Sequence, residues 1–226
     1  TRLSSALQLG TTACEVKSGY GLWPNAELRL LRLISAVAHD HPCAVSPTFL
    51  CHVPPPEALE GSTRAQLLSD VATAVLTARA IGAEAVDVYC DVGAFTLAET
   101  LHLLETGKLA GLGLRCHAEQ FTYTGAAAAA ARLGALSVEH LEQLDGAGRE
   151  ALAASGTIAN LLPGASQAEA QNDMLAKATA LTADAYQLFH FSPSFLVWRG
   201  ATFVRLADTS EAGVTYHRLL ATVRPG

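Results

Sequence analysis

The chain has 226 residues and a formal net charge of −6; half of its residues are hydrophobic and 16% are charged. That balance belongs to a folded domain with a sizeable core, not to a disordered segment. The acidic charge, with no basic patch interleaved with aromatics, argues against nucleic acid or an anionic membrane surface as partner.

No apolar run reaches the roughly 18 to 20 residues that a spanning helix needs. The opening Thr-Arg-Leu-Ser-Ser-Ala has neither a basic nor an apolar leader region, so no secretory signal is expected. The cysteines are Cys14, Cys43, Cys51, Cys90 and Cys116, an odd set without a Cys-x-x-Cys pair. They read as reduced, buried thiols of a cytoplasmic protein.

Residues 3–9 read as a helix closed by Gly10, and residues 11–16 as a short strand. The loop 17–21 is punctuated by glycines. Pro24 and Asn25 open a helix in which Leu28, Leu31, Ile34 and Ala38 recur at helical spacing. Residues 44–51 form the next strand, although Pro47 sits inside it. The three prolines of 52–57 make a stiff loop. A long helix over 62–81 ends at Gly82, and a strand over 85–90 follows. Thr96 and Glu99 form a capping box that starts a helix over 96–105. Then come strand 114–117, helix 125–133, strand 136–139, helix 145–154 and strand 157–162.

This alternation predicts an α/β fold with a parallel sheet and crossover helices. The serial units fit a partial TIM-type (β/α) barrel better than a doubly wound sheet. No Gly-x-Gly-x-x-Gly and no P-loop follows any strand. Beyond Ala165 the rhythm breaks. Residues 167–186 read as one helix, 189–200 as two short apolar pieces, and 201–206 as a strand before Asp208. The expected division is therefore a partial barrel over 1–165 and a divergent segment over 166–226.

His117 and His140 are the leading candidates for chemistry. Each ends a short apolar strand beside carboxylate or amide side chains, Glu119 and Gln120 for the first, Glu139 and Glu142 for the second. The C-terminal ends of barrel strands are where such folds place their sites. Two successive histidines there point to metal binding or proton transfer. A zinc-type site needs three or four N, O or S ligands, one position staying open if it is catalytic. His52 enters the proline loop and is either a third site residue or a solvent-exposed loop histidine. His39-Asp40-His41 has the HxH form but lies at a helix end, where His is favourable against the dipole. His102 reads as structural; His190 and His217 fall in the irregular tail. Asp91 ends strand 85–90 at the side where a site would lie, while Asp87 reads as a pairing residue. Glu15 and Lys17 share one strand face, so they form an ion pair, or Lys17 meets an anionic substrate. Tyr20, in the glycine loop, offers a hydrogen bond to a ligand. No Gly-x-Ser-x-Gly nucleophile elbow is present.

Several stretches together resemble the imidazolonepropionase family of the metal-dependent amidohydrolase superfamily. They are Gly10-Thr-Thr-Ala-Cys-Glu-Val-Lys-Ser-Gly-Tyr-Gly-Leu22, Thr48-Phe-Leu50, His52-Val-Pro-Pro-Pro-Glu57, Val86-Asp-Val-Tyr-Cys90, Gly93-Ala-Phe-Thr-Leu97, His117-Ala-Glu-Gln120, Gly134-Ala-Leu-Ser-Val-Glu-His-Leu-Glu142, Ala153-Ala-Ser-Gly-Thr157 and Leu161-Leu-Pro-Gly164. The resemblance covers residues 1–165. It implies a (β/α) barrel without a complete β-sandwich domain, one zinc or iron ion, and cytoplasmic action as a homodimer. It further implies hydrolysis of the cyclic amide of 4-imidazolone-5-propanoate, a small-molecule substrate, to N-formimidoyl-glutamate. By the same resemblance His117 is a metal ligand, His140 assists the attacking water, Gln120 lies near substrate and water, and Tyr20 and His52 contact substrate. The family's first-strand HxH pair and its Thr-Asp-x-Asn-Pro-Gly motif are not found in these residues; Asp208 is the nearest counterpart to the latter's metal-binding Asp. Two alternatives stay open: a catalytically incomplete member that acts as a binding protein, and another amidohydrolase activity built on His52, His117, His140 and Asp208.

Overall fold

The computed structural model describes residues 2–161 and, beyond them, the backbone of three short strands at 186–188, 196–199 and 202–205. The chain divides into two compact units, Thr1–Cys116 and His117–Gly226.

The first unit runs α1 (Arg2–Gln8), β1 (Ala13–Lys17), α2 (Pro24–Asp40), β2 (Ala44–Cys51), a 3-10 turn (Pro56–Ala58), α3 (Gly61–Ile81), β3 (Ala85–Cys90), α4 (Leu97–Leu109) and the start of β4 (Gly113–Ala118). Strands β1, β2 and β3 pair in parallel in chain order, Ala13 with Ala44 and Thr48 with Ala85 opening the two registers. All six residues of β3 are buried, as expected for a parallel strand covered on both faces. Pro47 lies within β2 after all. Its carbonyl accepts from the N–H of Glu84, ahead of the first β2–β3 pair, so its missing donor falls where pairing has not yet begun. Thr96 and Glu99 form the expected capping box at the start of α4. That helix packs so closely on β3 that a Cβ at Gly107 would come within 2.3 Å of Val86 Cγ1.

The second unit contains the end of β4, α5 (Ala126–Leu133), β5 (Ser137–His140), α6 (Gly146–Ser155), β6 (Ile158–Leu161), β7 (Tyr186–Leu188), β8 (Leu196–Arg199) and β9 (Thr202–Arg205). Helix α5 is almost all alanine and buries five of them, which lets it pack closely beside α6. Strands β5, β6 and β7 are parallel and again follow chain order; β8 and β9 form an antiparallel pair. The parallel pairing therefore continues past residue 165. Tyr186, expected to end a helix, opens β7; the rest of that expected helix lies outside the described residues. Of the pieces expected after it, 202–205 is a strand, while Asp208, His190 and His217 lie outside the described residues. All five cysteines lie outside any disulfide, Cys14 half-buried and the others buried. Among the described residues no helix is long and apolar enough to cross a membrane.

Candidate functional site

In the first unit the polar side chains converge on one face of the β1–β3 sheet. Parallel partners project to the same side, so Lys17, Thr48, Leu50 and Asp87 fall on one surface. Lys17 Nζ lies 2.6 Å from the fully buried Asp87 carboxylate and 3.6 Å from Glu15. Glu15 in turn accepts from Thr48 Oγ1 at 2.5 Å and faces Arg115 Nε at 2.9 Å. Of the two roles open to Glu15 and Lys17, the geometry realises the ion pair. Such a chain of alternating charges satisfies each carboxylate as it leaves water, which is the condition for burying it at all. Asp91, beyond the end of β3, turns back to accept from the N–H of Val92 at 2.8 Å.

At the C-terminal end of these strands Tyr20, His52 and Tyr89 form a ladder of rings. Tyr20 and His52 are 5.3 Å apart between ring centroids and tilted by 43°; His52 and Tyr89 are 5.6 Å apart and nearly parallel, at 18°. Register explains the second contact. Cys51 pairs with Val88, so the next residues, His52 and Tyr89, lie side by side. The ring of His52 is half-buried within this ladder, so the solvent-exposed alternative does not hold. His41, from the HxH string, is held by Ser4 Oγ at 3.3 Å and by the N–H of Cys43 at 3.1 Å, at the end of α2.

In the second unit His117 and His140 do meet. Their ring centroids are 5.3 Å apart and tilted by 42°. His117 Nε2 lies 3.5 Å from Glu139 Oε2, and His140 Nδ1 lies 3.5 Å from Glu142 Oε1. His140 is buried, and its Nδ1 has no hydrogen-bond partner among the described residues. The backbone there is also unusual. His140 and Leu141 have φ of +79° and +72°, two consecutive side-chain-bearing residues in the left-handed region. Each costs on the order of 1–3 kcal/mol, strain that clusters at functional sites. The N–H of Leu141 donates to the carbonyl of Ala118, and that of Gln143 to the carbonyl of Glu119, so this strained turn is fastened to the chain just past His117.

Glu119 does not serve its histidine neighbour as the sequence suggests. It is fully buried with φ of +52°, and its carboxylate accepts from the N–H groups of Ala126 at 2.9 Å and Ala127 at 3.0 Å and from Thr124 Oγ1 at 3.0 Å. It caps α5, whose own N-cap is a glycine without a side chain. Gln120 occupies the bend after it and is half-buried. Two residues that sequence reasoning passed over belong to these surroundings. Tyr89 completes the ring ladder. Asn160 sits beside Glu139 in the β5–β6 register, is 9% exposed, and has its Oδ1 buried without a hydrogen-bond partner among the described residues. A polar residue in the apolar run Ile158-Ala-Asn-Leu161 was the available signal.

The residues also show what ligand chemistry they suit. His117 Nε2 and the Glu139 carboxylate place imidazole nitrogen and carboxylate oxygen together, the donor types of zinc and non-haem iron sites. The buried His140 Nδ1 beside them makes no hydrogen bond among the described residues and faces the Glu142 carboxylate at 3.5 Å.

No family model matches the chain. Over 167 residues it is 44% identical to the imidazolonepropionases of Shewanella loihica and Shewanella frigidimarina, a match covering 73% of this chain and 40% of each relative. The imidazolonepropionase of Shewanella putrefaciens is 45% identical over 166 residues. The chain thus spans about 40% of the length of the curated relatives it matches. Among solved structures it is similar to an Aspergillus niger ochratoxinase, with 15% identity, a TM-score of 0.52, and coverage of 82% of this chain and 53% of that one. It is also similar to an adenine deaminase from Arthrobacter aurescens, with 14% identity, a TM-score of 0.53, and coverage of 83% and 59%. At those identities the structural likeness shows the fold alone, a partial (β/α) barrel.

Proposed function

We propose, from the chain's kinship with the imidazolonepropionases of the amidohydrolase superfamily, that it carries the hydrolytic residues of a cytoplasmic imidazolonepropionase. The reaction is hydrolysis of the ring amide of 4-imidazolone-5-propanoate. Water oxygen joins the carbonyl carbon, the C–N bond breaks, the ring nitrogen leaves with a proton, and N-formimidoyl-glutamate results. The observation that carries this reading is the His117–His140 pair on a strained strand end, with one buried imidazole nitrogen that makes no hydrogen bond among the described residues.

His117 is the assigned ligand for one zinc or iron ion, with Asp208 as a second donor. Such an ion, when bound, supplies Lewis acidity toward the ring carbonyl and lowers the pKa of water. His140 receives a proton at Nδ1 and returns it to the leaving nitrogen; Glu142 at 3.5 Å steadies the charged imidazole. Gln120 orients the water and the polar edge of the substrate. Tyr20 and His52 hold the imidazolone ring, a flat heterocycle suited to aromatic neighbours at 5.3 Å spacing. Apart from Asp208, residues 1–165 carry this machinery, in keeping with the 73% of the chain that matches the relatives, and 166–226 form a divergent segment.

A second reading rests on the 40% of the relatives' length that the chain spans. In it the chain is a catalytically incomplete member that binds without turnover. Bound metal in the purified chain, together with hydrolysis assayed with and without added zinc or iron, separates the two. About one metal per chain with turnover supports the first; binding without turnover supports the second; neither binding nor turnover overturns the first for this chain.

A further inference from the structure

The loop that presents Tyr20 is built around a carboxylate. Glu27 lies in the first turn of α2 and is 4% exposed. It accepts from the N–H of Gly21 at 2.6 Å and of Leu22 at 2.7 Å through Oε1, and from the N–H of Gly19 through Oε2. Helix α2 has no side-chain cap of its own, so this acid does not serve the helix's first amides. It is committed to the loop instead. Burying a carboxylate is costly unless charge-assisted hydrogen bonds replace its water, and three backbone donors do so here.

Everything else around the loop presses in the same direction. Gly19 has φ of +119° and Leu22 has φ of +62°, a path that the chain adopts only under restraint. A Cβ on Gly19 would come within 2.5 Å of Leu50 Cδ2, and one on Gly21 within 2.7 Å of Ala26 Cβ. Ser18 is buried, donates its N–H to Thr48 and accepts from the N–H of Leu50. Yet Tyr20, the one aromatic side chain among residues 18–22, is 83% exposed. A buried ion and a strained backbone are therefore spent on holding an exposed ring 5.3 Å from His52.

We infer that Glu27 is a positioning residue: its carboxylate fixes the peptide groups of residues 19–22 so that the Tyr20 ring is set against His52 before substrate arrives. This rests on the assignment of Tyr20 and His52 to the substrate made above. Glu27→Gln keeps the shape of the side chain but turns an NH2 group toward backbone N–H donors. Gly21→Ala keeps the carboxylate but drives a methyl into Ala26.

The test uses the full chain, nuclear magnetic resonance, and imidazole-4-propanoate as probe. In both variants the amides of Gly19, Gly21 and Leu22 are expected to exchange about tenfold faster or more. The ring-current shift that Tyr20 imposes on the His52 ring protons is expected to collapse, and probe affinity to fall about fivefold or more, while the signals of β5 and β6 stay in place. An unchanged His52 shift with faster exchange would make Glu27 a structural residue only and overturn the inference. If Glu27→Gln does not fold, Gly21→Ala decides by the same readouts. If the unmodified chain does not bind the probe, the assignment of Tyr20 and His52 to the substrate fails, while the His52 shift still decides whether Glu27 sets the ring.

Discussion

Glu99→Gln removes one charge from the junction between α3 and α4 and leaves its shape intact. The carboxylate accepts from Arg64 Nε at 2.8 Å and Nη2 at 2.7 Å, and from the N–H and hydroxyl of Thr96 at 2.8 and 3.0 Å. Arg64 also donates to the carbonyl of Ala94 at 2.9 Å and lies over Phe95, 5.1 Å from its ring centre. The Arg64 hydrogen bonds, with those from Thr96 and against the opposing effect of burial, bring the Glu99 carboxyl from 4.5 down to about 2. At about 1.36 kcal/mol per pKa unit that difference corresponds to about 3 kcal/mol. Solvent screening of a pair this near the surface reduces it to about 1–2 kcal/mol. Because the folded value lies below the unfolded one, the stabilisation is complete above pH 4.5 and is lost as pH falls through about 2. Urea unfolding followed by circular dichroism should therefore separate the unmodified chain from Glu99→Gln by about 1–2 kcal/mol at pH 7, less near pH 3, and not at all below pH 2. A cycle with Arg64→Met should assign about 1 kcal/mol of this to the pair. A difference at pH 7 within about 0.3 kcal/mol, or one that does not change with pH, would refute the reasoning.

Four further outcomes are expected. Gly107→Ala should destabilise by about 1–2 kcal/mol in the same urea assay, because the clash with Val86 outweighs the helix propensity gained; Val86→Ala should rescue it. Asn160→Val removes a buried, unpartnered carbonyl and should leave stability unchanged or raise it by about 1 kcal/mol, so a loss beyond about 2 kcal/mol would show a missed partner. The Cys51 thiol is pushed up by burial first, then by the charges of Asp87 and Glu27; at pH 8 it should resist maleimide in the folded chain and label within minutes in urea, as read by mass spectrometry. His117→Ala should lower zinc uptake, measured by elemental analysis after dialysis, about tenfold or more, whereas His39→Ala should not change it.

The elements were legible because their signals are local. The apolar runs that became β3 and β5, the Thr96–Glu99 box and the glycine after α3 each lie within a few residues of the feature they specify. The meeting of His117 and His140 was legible too, since consecutive parallel strands carry their ends to the same side. What stayed hidden depends on backbone partners. Glu27 and Glu119 bind amide N–H groups, which every residue type but proline offers, so no side-chain pattern marks either carboxylate as a clamp. Glu119 was read as a neighbour of His117, but the turn at φ of +52° carries it away to α5. Tyr89 was hidden for another reason: its stacking on His52 follows from the β2–β3 register, which the residues of one strand cannot disclose.

The order of the strands bears on how the chain acquires its shape during synthesis. Among the described residues of the first unit β1 pairs only with β2, and β2 then with β3; in the second β5, β6 and β7 follow the same succession. No pairing within either run waits for a strand made much later. Each strand emerging from a ribosome meets a partner that has already left it, with a short stretch of chain between them to close the loop. The sheet can grow by accretion at its newest edge, so the exposed edge at any moment is short-lived and already destined for the segment being made.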